Sequence, residues 1–171
     1  MNIRRFWGAA LLVLPLAAFA EDAKDLFAAA AAGKIERVES LLAQGLDANG
    51  KIEQDRTALM AASFNGNIRI VKTLLAYGAD VNLADKLGAT ALTDAVMFGN
   101  PDLVGVLIAA GANVNAADAQ GVKVLDKAKK LGRDTIVKLL ETAGAKAQEA
   151  KAEEVTPSEP QAEAKTEEPK K

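Results

Sequence analysis

The side chains that carry out most enzyme chemistry are missing from this sequence. Its 171 residues include no cysteine and no histidine. Thiol catalysis, disulfides and cysteine-ligated metals are therefore excluded, along with the commonest general base and zinc ligand. Catalysis would have to use carboxylates, Lys, Ser, Thr or the single tyrosine, Tyr77, and no catalytic constellation of these is recognisable. We predict no catalytic site, no metal and no cofactor, and a carboxylate-based hydrolase is the least favoured function.

The charge balance argues against nucleic acid as a partner. Lys and Arg total 21 against 23 Asp and Glu, whereas nucleic-acid binding normally leaves a basic footprint. A local basic cluster exists, but such runs are usually solvated helix faces; its members are Lys127, Lys129, Lys130 and Arg133.

The first 20 residues predict an export signal. Arg4 and Arg5 precede an apolar run at residues 6–16, and Ala-Phe-Ala at 18–20 matches the pattern that signal peptidase requires. The run is shorter than the ~20 residues of a spanning helix, which favours cleavage over a retained anchor. The arginine pair leaves the twin-arginine route open beside the general secretory one. We expect a periplasmic protein without a membrane span, and no lipoprotein, because lipidation needs a cysteine.

A repeat of 33 residues organises the elements that would position any site. Residues of one type recur at this step through four copies without an insertion, and such self-similarity predicts a solenoid stabilised by stacking. The clearest registers are Gly33, Gly66, Gly99 and Gly132; Leu26, Leu59, Leu92 and Leu125; Ala29, Ala62, Ala95 and Ala128; and Leu41, Leu74, Leu107 and Leu140.

The unit resembles the ankyrin repeat. The third copy has Gly-Ala-Thr-Ala-Leu at residues 88–92 and ends in Gly-Ala-Asn-Val-Asn at 111–115, and the second ends in Gly-Ala-Asp-Val-Asn at 78–82. The resemblance covers residues 25–144. It implies an all-α repeat solenoid of four stacked helix-turn-helix units with short β-hairpin-like fingers.

The chain is accordingly divided into three parts. A cleaved signal peptide (1–20) precedes an ankyrin-repeat domain (21–144) and an Ala/Glu/Lys/Pro tail (145–171). The tail has too little apolar surface to offset its ordering entropy and is expected to be disordered. A solvated extension is favoured there over a docking or wall-spacing segment. The units are expected at about 22–54, 55–87, 88–120 and 121–144.

Local signals support the same helices. Thr57 and Thr90 are predicted to cap the first helices of their units, and Gly66 and Gly99 to end them in the left-handed conformation. Pro101 suits the opening of a second helix. The second helices are expected to bury Val71, Leu74 and Leu75, and Val104, Leu107 and Ile108.

Several positions depart from the family pattern. Met60 and Thr93 stand where the family often has histidine, which removes a hydrogen-bond anchor and predicts softer fingers. The loop at residues 49–56 lacks the usual Asp-x-x-Gly turn. The remaining departures are Lys123 in place of a capping threonine, Glu141 at an apolar position and an unexplained Gly105 within a helix.

The resemblance also implies where a partner binds. Ankyrin proteins use the concave face formed by the fingers and the first helices, and the variable contacts are the finger tip and two residues before the helix-ending glycine. The positions that we select are Arg56, Phe64, Asn65, Lys86, Leu87, Met97, Phe98, Lys130 and Leu131.

Four of these positions predict an apolar stripe with a charged edge, which is typical of a protein interface. Alternatively, some of these side chains fold back as core, and at least one of Met97 and Phe98 is expected to be buried. Asp94 either contacts a ligand or faces water. The stripe comprises Phe64, Met97, Phe98 and Leu131, and its edge Arg56, Lys86 and Lys130.

The function predicted from these features is periplasmic protein binding through the concave face, as a scaffold, a chaperone-like partner or an inhibitor. An immunity-type protein that neutralises a periplasmic toxin and a structural envelope component are the alternatives. The partner is expected to be another protein, and the chain itself a monomer.

Overall fold

A computed structural model describes residues 16–147, and within that range the chain is helical with no strand. The predicted signal peptide lies outside the described residues except for 16–20, and the predicted tail lies outside them after residue 147. The helices are α1 (Leu16–Ala31), α2 (Ile35–Ala43), α3 (Ala58–Phe64), α4 (Ile68–Ala76), α5 (Ala91–Phe98), α6 (Pro101–Ala109), α7 (Val124–Lys130) and α8 (Asp134–Thr142), with a 3-10 turn at Glu53–Asp55.

The helices pack as hairpins that stack side by side. Helix α1 packs on α2, α3 on α4, α5 on α6 and α7 on α8. The first helices of the hairpins contact one another in chain order, and so do the second helices. This two-layer arrangement confirms the prediction of an all-α repeat solenoid.

The core runs through the stack at the repeated apolar positions. The leucine register of the first helices and the alanine register beside it are both buried, so that adjacent helices approach closely. Leu75 and Ile108 were expected to be buried with their neighbours, but they are only partly so. They lie at the margin of the second-helix layer, where the next hairpin does not fully cover them.

Helix starts follow the predicted caps. Thr57 Oγ1 accepts a hydrogen bond from the N–H of Met60 at 3.4 Å. In the next unit Thr90 and Thr93 form a reciprocal capping box, in which each hydroxyl accepts from the other residue's N–H. Thr93 therefore supplies a hydrogen bond of its own at the position where the family often has histidine. The softer fingers stay a prediction.

The fingers are hairpin-like, as predicted, with one antiparallel bridge each: Lys51 to Thr57, Ala84 to Thr90 and Ala117 to Lys123. In the second and third fingers one carboxylate oxygen closes the turn. Asp85 Oδ1 accepts from the N–H groups of Leu87 and Ala89, and Asp118 Oδ1 from those of Gln120 and Val122.

The first finger is built differently, because Ile52 occupies the position of those aspartates and can accept nothing through its side chain. Its turn passes through Gln54 and Asp55 at φ 62° and 60°. Left-handed backbone is costly for residues other than glycine. The next fingers have Gly88 and Gly121 at the position of Asp55.

Asparagine side chains hold successive fingers in register. The side-chain Nδ2 of each asparagine donates to a glycine carbonyl of the next unit. Its Oδ1 accepts from the backbone N–H of the residue that lies two positions after that glycine. The third of these clamps reaches Gly144 and Lys146, and Lys123 Nζ donates to Ala147 O. The first residues of the predicted tail are thus held by the third and fourth units. The three clamps are formed by Asn49, Asn82 and Asn115.

The last hairpin carries the remaining departures. Lys123 makes no side-chain cap at the start of α7. Glu141 is exposed on α8, and its carboxylate lies 3.1 Å from Lys129 Nζ. Gly105 lies within α6, and nothing in the structure explains its choice.

Candidate functional site

A groove of about 330 Å³ lies between the fingers and the first helices of the second, third and fourth hairpins. It extends over three successive fingers, and residues of α3, α5 and α7 form the rest of its lining. Its lining residues are Arg56, Phe64, Asp85, Leu87, Ala89, Thr93, Asp94, Met97, Asp118, Ala119, Gln120 and Lys127.

Three large apolar side chains surround this groove. Phe64 is the last residue of α3, Met97 is the last but one of α5, and Leu87 lies at the tip of the second finger. Their exposed fractions are 49%, 48% and 69%. Large apolar side chains that are clustered and solvent-exposed commonly mark a binding surface. We call Phe64, Leu87 and Met97 the apolar rim.

The structure divides the predicted stripe. Phe98 and Leu131 are each 47% exposed but do not line the groove. The ring of Phe98 lies against the backbone of Gly66, in the space a Cβ would occupy there. The expectation that Met97 or Phe98 is buried is wrong, because the two share about the same half exposure.

The other selected positions fall outside the groove. Asn65 is exposed, and its amide donates to Ala61 O at 3.0 Å within its own helix. Lys86 and Lys130 are exposed but are not part of the lining. Of the nine selected residues, the groove therefore unites Arg56, Phe64, Leu87 and Met97.

Arg56 does not lie at an exposed edge as predicted. Its Nη1 donates to Asp85 Oδ2 at 3.2 Å, and its Nη2 lies 2.9 Å from Asp94 Oδ2. The Arg56 side chain is 24% exposed, while those of Asp85 and Asp94 are 5% and 4% exposed. The guanidinium thus bridges two buried carboxylates, Asp85 of the second finger and Asp94 of α5. We call Arg56, Asp85 and Asp94 the floor triad.

Asp94 is in an environment that opposes its ionisation. Burial away from water raises its pKa to about 6, and the nearby charge of Asp85 adds to the effect, although Arg56 and Lys127 counteract it. Of the two expectations for Asp94, exposure to water is wrong, since the residue is 3% exposed. Ligand contact stays a prediction.

A second ion pair lies further along the groove. Lys127 Nζ is 2.7 Å from Asp118 Oδ2. This hydrogen bond lowers the pKa of Asp118, and the backbone N–H groups of Val122 and Gln120 act in the same direction. Asp118 is therefore ionised at neutral pH, and its pair with Lys127 is neutral in total.

Sequence reasoning missed this charged floor. Asp94 and Lys127 share one register of the repeat, in which the earlier units have Ala28 and Ala61. A charge in an alanine register of a packed helix layer was the available signal. Its partner Arg56 belongs to another register, however, and the two meet only when the units stack.

Within residues 16–147 no group of three or more acidic side chains is arranged to hold a metal ion. In the same part of the chain no helix is both long enough and apolar enough to cross a membrane.

A helical solenoid with a groove between loop tips and first helices is a repeat-type binding scaffold. The family model of ankyrin repeats matches residues 26–118 in three copies. This match covers more than half of the 171 residues, and the chain belongs to the ankyrin-repeat family. No curated protein matches the chain. Ankyrin repeats are modules of protein–protein interaction. The match ends before α7, so a complete fourth repeat stays a prediction.

Proposed function

We propose that this chain binds a partner protein in the groove, as a periplasmic scaffold, chaperone-like partner or inhibitor. The observation that carries the proposal is the apolar rim above the floor triad. Three large apolar side chains stay about half exposed or more, although the same chain buries its repeated apolar registers almost completely. Large apolar side chains that are clustered and exposed at one groove commonly mark a binding surface.

The test is a pull-down from the periplasmic fraction with matched variants. The groove variant carries Phe64→Ala and Met97→Glu. The control carries Tyr77→Ala and Leu131→Ala, at side chains of similar exposure that do not line the groove. Circular dichroism and thermal unfolding establish that each variant is folded. A protein retained by the wild type and the control but lost by the groove variant supports the proposal. Equal retention by all three contradicts it.

Export is the second part of the proposal, and it has a separate test. Cleavage after residue 20 leaves a mature chain that begins at Glu21. We expect intact-mass measurement of the cell-made protein to give this chain, and fractionation to place it in the periplasm. A full-length mass in the cytoplasm would contradict export and would leave the groove proposal untouched. Gel filtration of the mature chain tests the expected monomer.

A further inference from the structure

The negative charge in the groove is not fully balanced by its own cations. Two buried carboxylates, Asp85 and Asp94, share the single guanidinium of Arg56. The pair of Asp118 and Lys127 is neutral. With all groups ionised, the lining therefore has three carboxylates against two cations, and the excess negative charge belongs to the floor triad.

The two carboxylates of the triad differ in the hydrogen bonds they accept. Asp85 accepts two backbone N–H groups at Oδ1 and the Nη1 donor of Arg56 at Oδ2. Asp94 instead relies on Arg56, whose Nη2 lies 2.9 Å from its buried Oδ2, and on the weaker charge of Lys127. Asp94 is therefore the less well compensated of the two carboxylates beside the groove.

We propose that the groove selects a partner segment that presents a lysine or arginine next to an apolar side chain. The cation lies over the floor triad and offsets its excess negative charge, while the apolar side chain packs on the rim of Phe64, Leu87 and Met97. This inference rests on the proposed function, since it specifies what kind of protein segment the groove accepts.

The opposite charge fits poorly. An acidic side chain would meet three carboxylates, and the guanidinium of Arg56 is already shared between two of them. The exposed Lys86 and Lys130 lie outside the lining. A purely apolar segment would cover the rim but would leave the charge of Asp94 uncompensated and further desolvated.

A displayed library of short random peptides, selected at neutral pH on the mature chain, tests this proposal. We expect enrichment of peptides with Lys or Arg adjacent to an apolar residue, and loss of their binding to the Phe64→Ala, Met97→Glu variant. An enriched peptide is then synthesised together with versions in which Gln or Glu replaces the basic residue.

Asp94→Asn is the decisive variant, and Asp102→Asn, at an exposed carboxylate of α6, is its control. We expect the basic peptide to bind Asp94→Asn about tenfold more weakly than wild type, with the Gln peptide bound equally by both. Equal loss for both peptides would indicate a structural role for Asp94 and would overturn the inference.

A pH series on the wild type gives a second readout that needs no substitution. Arg56 and Asp85 of the fingers and Lys127 of α7 face Asp94, and the chain has no histidine. Affinity for the basic peptide should fall between about pH 7 and pH 5 as Asp94 is protonated. Constant affinity overturns the inference.

The peptide library also distinguishes the proposed function, binding in the groove, from the inference that the bound segment is basic. Groove-dependent binders that are acidic or wholly apolar contradict only the inference about charge. Selection that gives no binder dependent on Phe64 and Met97 contradicts the proposed function as well.

Discussion

At the scale of single residues, the floor triad stabilises the stack only in part. Arg56 connects the first finger to the second finger through Asp85 and to α5 through Asp94, but three charged groups lose hydration in the process. Desolvation can exceed the Coulombic gain of a buried ion pair. The raised pKa of Asp94 indicates that it does so at this carboxyl, whereas Asp85 is supported by backbone N–H donors.

The pH dependence of stability should reveal this cost. Asp94 has a higher pKa in the folded chain, about 6, than its ordinary value of 3.8. Proton binding by Asp94 therefore stabilises the folded chain fully below about pH 4, and this stabilisation is lost as the pH rises through about 6. The wild type should therefore lose on the order of 2–3 kcal/mol of unfolding free energy over this interval, measured by urea denaturation. Asp94→Asn should not show this loss.

Asp85→Asn is the variant with which the stability of Asp94→Asn is compared. At neutral pH it should lower the free energy of unfolding by about 2 kcal/mol, because it weakens the closed turn and leaves Arg56 with one carboxylate. Asp94→Asn should lower it much less. Equal losses from the two substitutions would contradict the distinction between these carboxylates.

The repeat position predicted that Phe64, Leu87, Met97, Phe98 and Leu131 could reach the surface, but it did not predict that Met97 and Phe98 would both be exposed. The floor triad could not, because Arg56 and Asp94 are 38 residues apart and belong to different registers. An alanine register predicts close helix packing but does not indicate what a charge placed there will meet.

At the scale of elements, turn chemistry decides how well each finger forms. The second and third fingers combine an aspartate that closes the turn with a glycine that accepts positive φ. The first finger has neither, and yet Gln54 O still accepts from Lys86 N at 3.0 Å to join the next finger. The departure at residues 49–56 was visible in the sequence, but its backbone conformation was not.

Asp55→Gly should stabilise the protein. Asp55 has φ 60°, which glycine adopts without steric cost. We expect a gain of about 0.5–1 kcal/mol in urea denaturation. Gly88→Ala, at the equivalent position, is the opposite control, because its φ is 74° and a Cβ would lie 2.8 Å from Ala119 N. A loss on Asp55→Gly would show that the first turn is not strained.

Gly105→Ala tests a helix interior in the same way. A Cβ at Gly105 in α6 would have no neighbour within 4 Å, so the substitution adds helix propensity without a clash. We expect a stabilisation of about 1 kcal/mol. Gly99→Ala should destabilise instead, since φ is 89° and the Cβ would lie 2.7 Å from Arg133 Nε. Destabilisation by Gly105→Ala would reveal a packing role that the structure does not show.

At the scale of the whole molecule, the repeat produces the site without any single unit containing it. The second unit provides Arg56, Phe64 and Leu87, the third provides Asp94 and Met97, and the fourth provides Lys127. The 33-residue period predicted the solenoid, and the resemblance to ankyrin repeats predicted a binding face between the fingers and the first helices. The composition of the groove depended on which side chains stacking brings together.

The most direct test of groove binding is site-specific photo-crosslinking in the cell that makes the protein. A crosslinking amino acid replaces Met97 in the groove, or Tyr77 and Leu131 in turn outside it, all of which are about half exposed. We predict a discrete adduct with a second protein from position 97 and none from positions 77 and 131. The same adduct from position 77, or no adduct from position 97, would contradict the account.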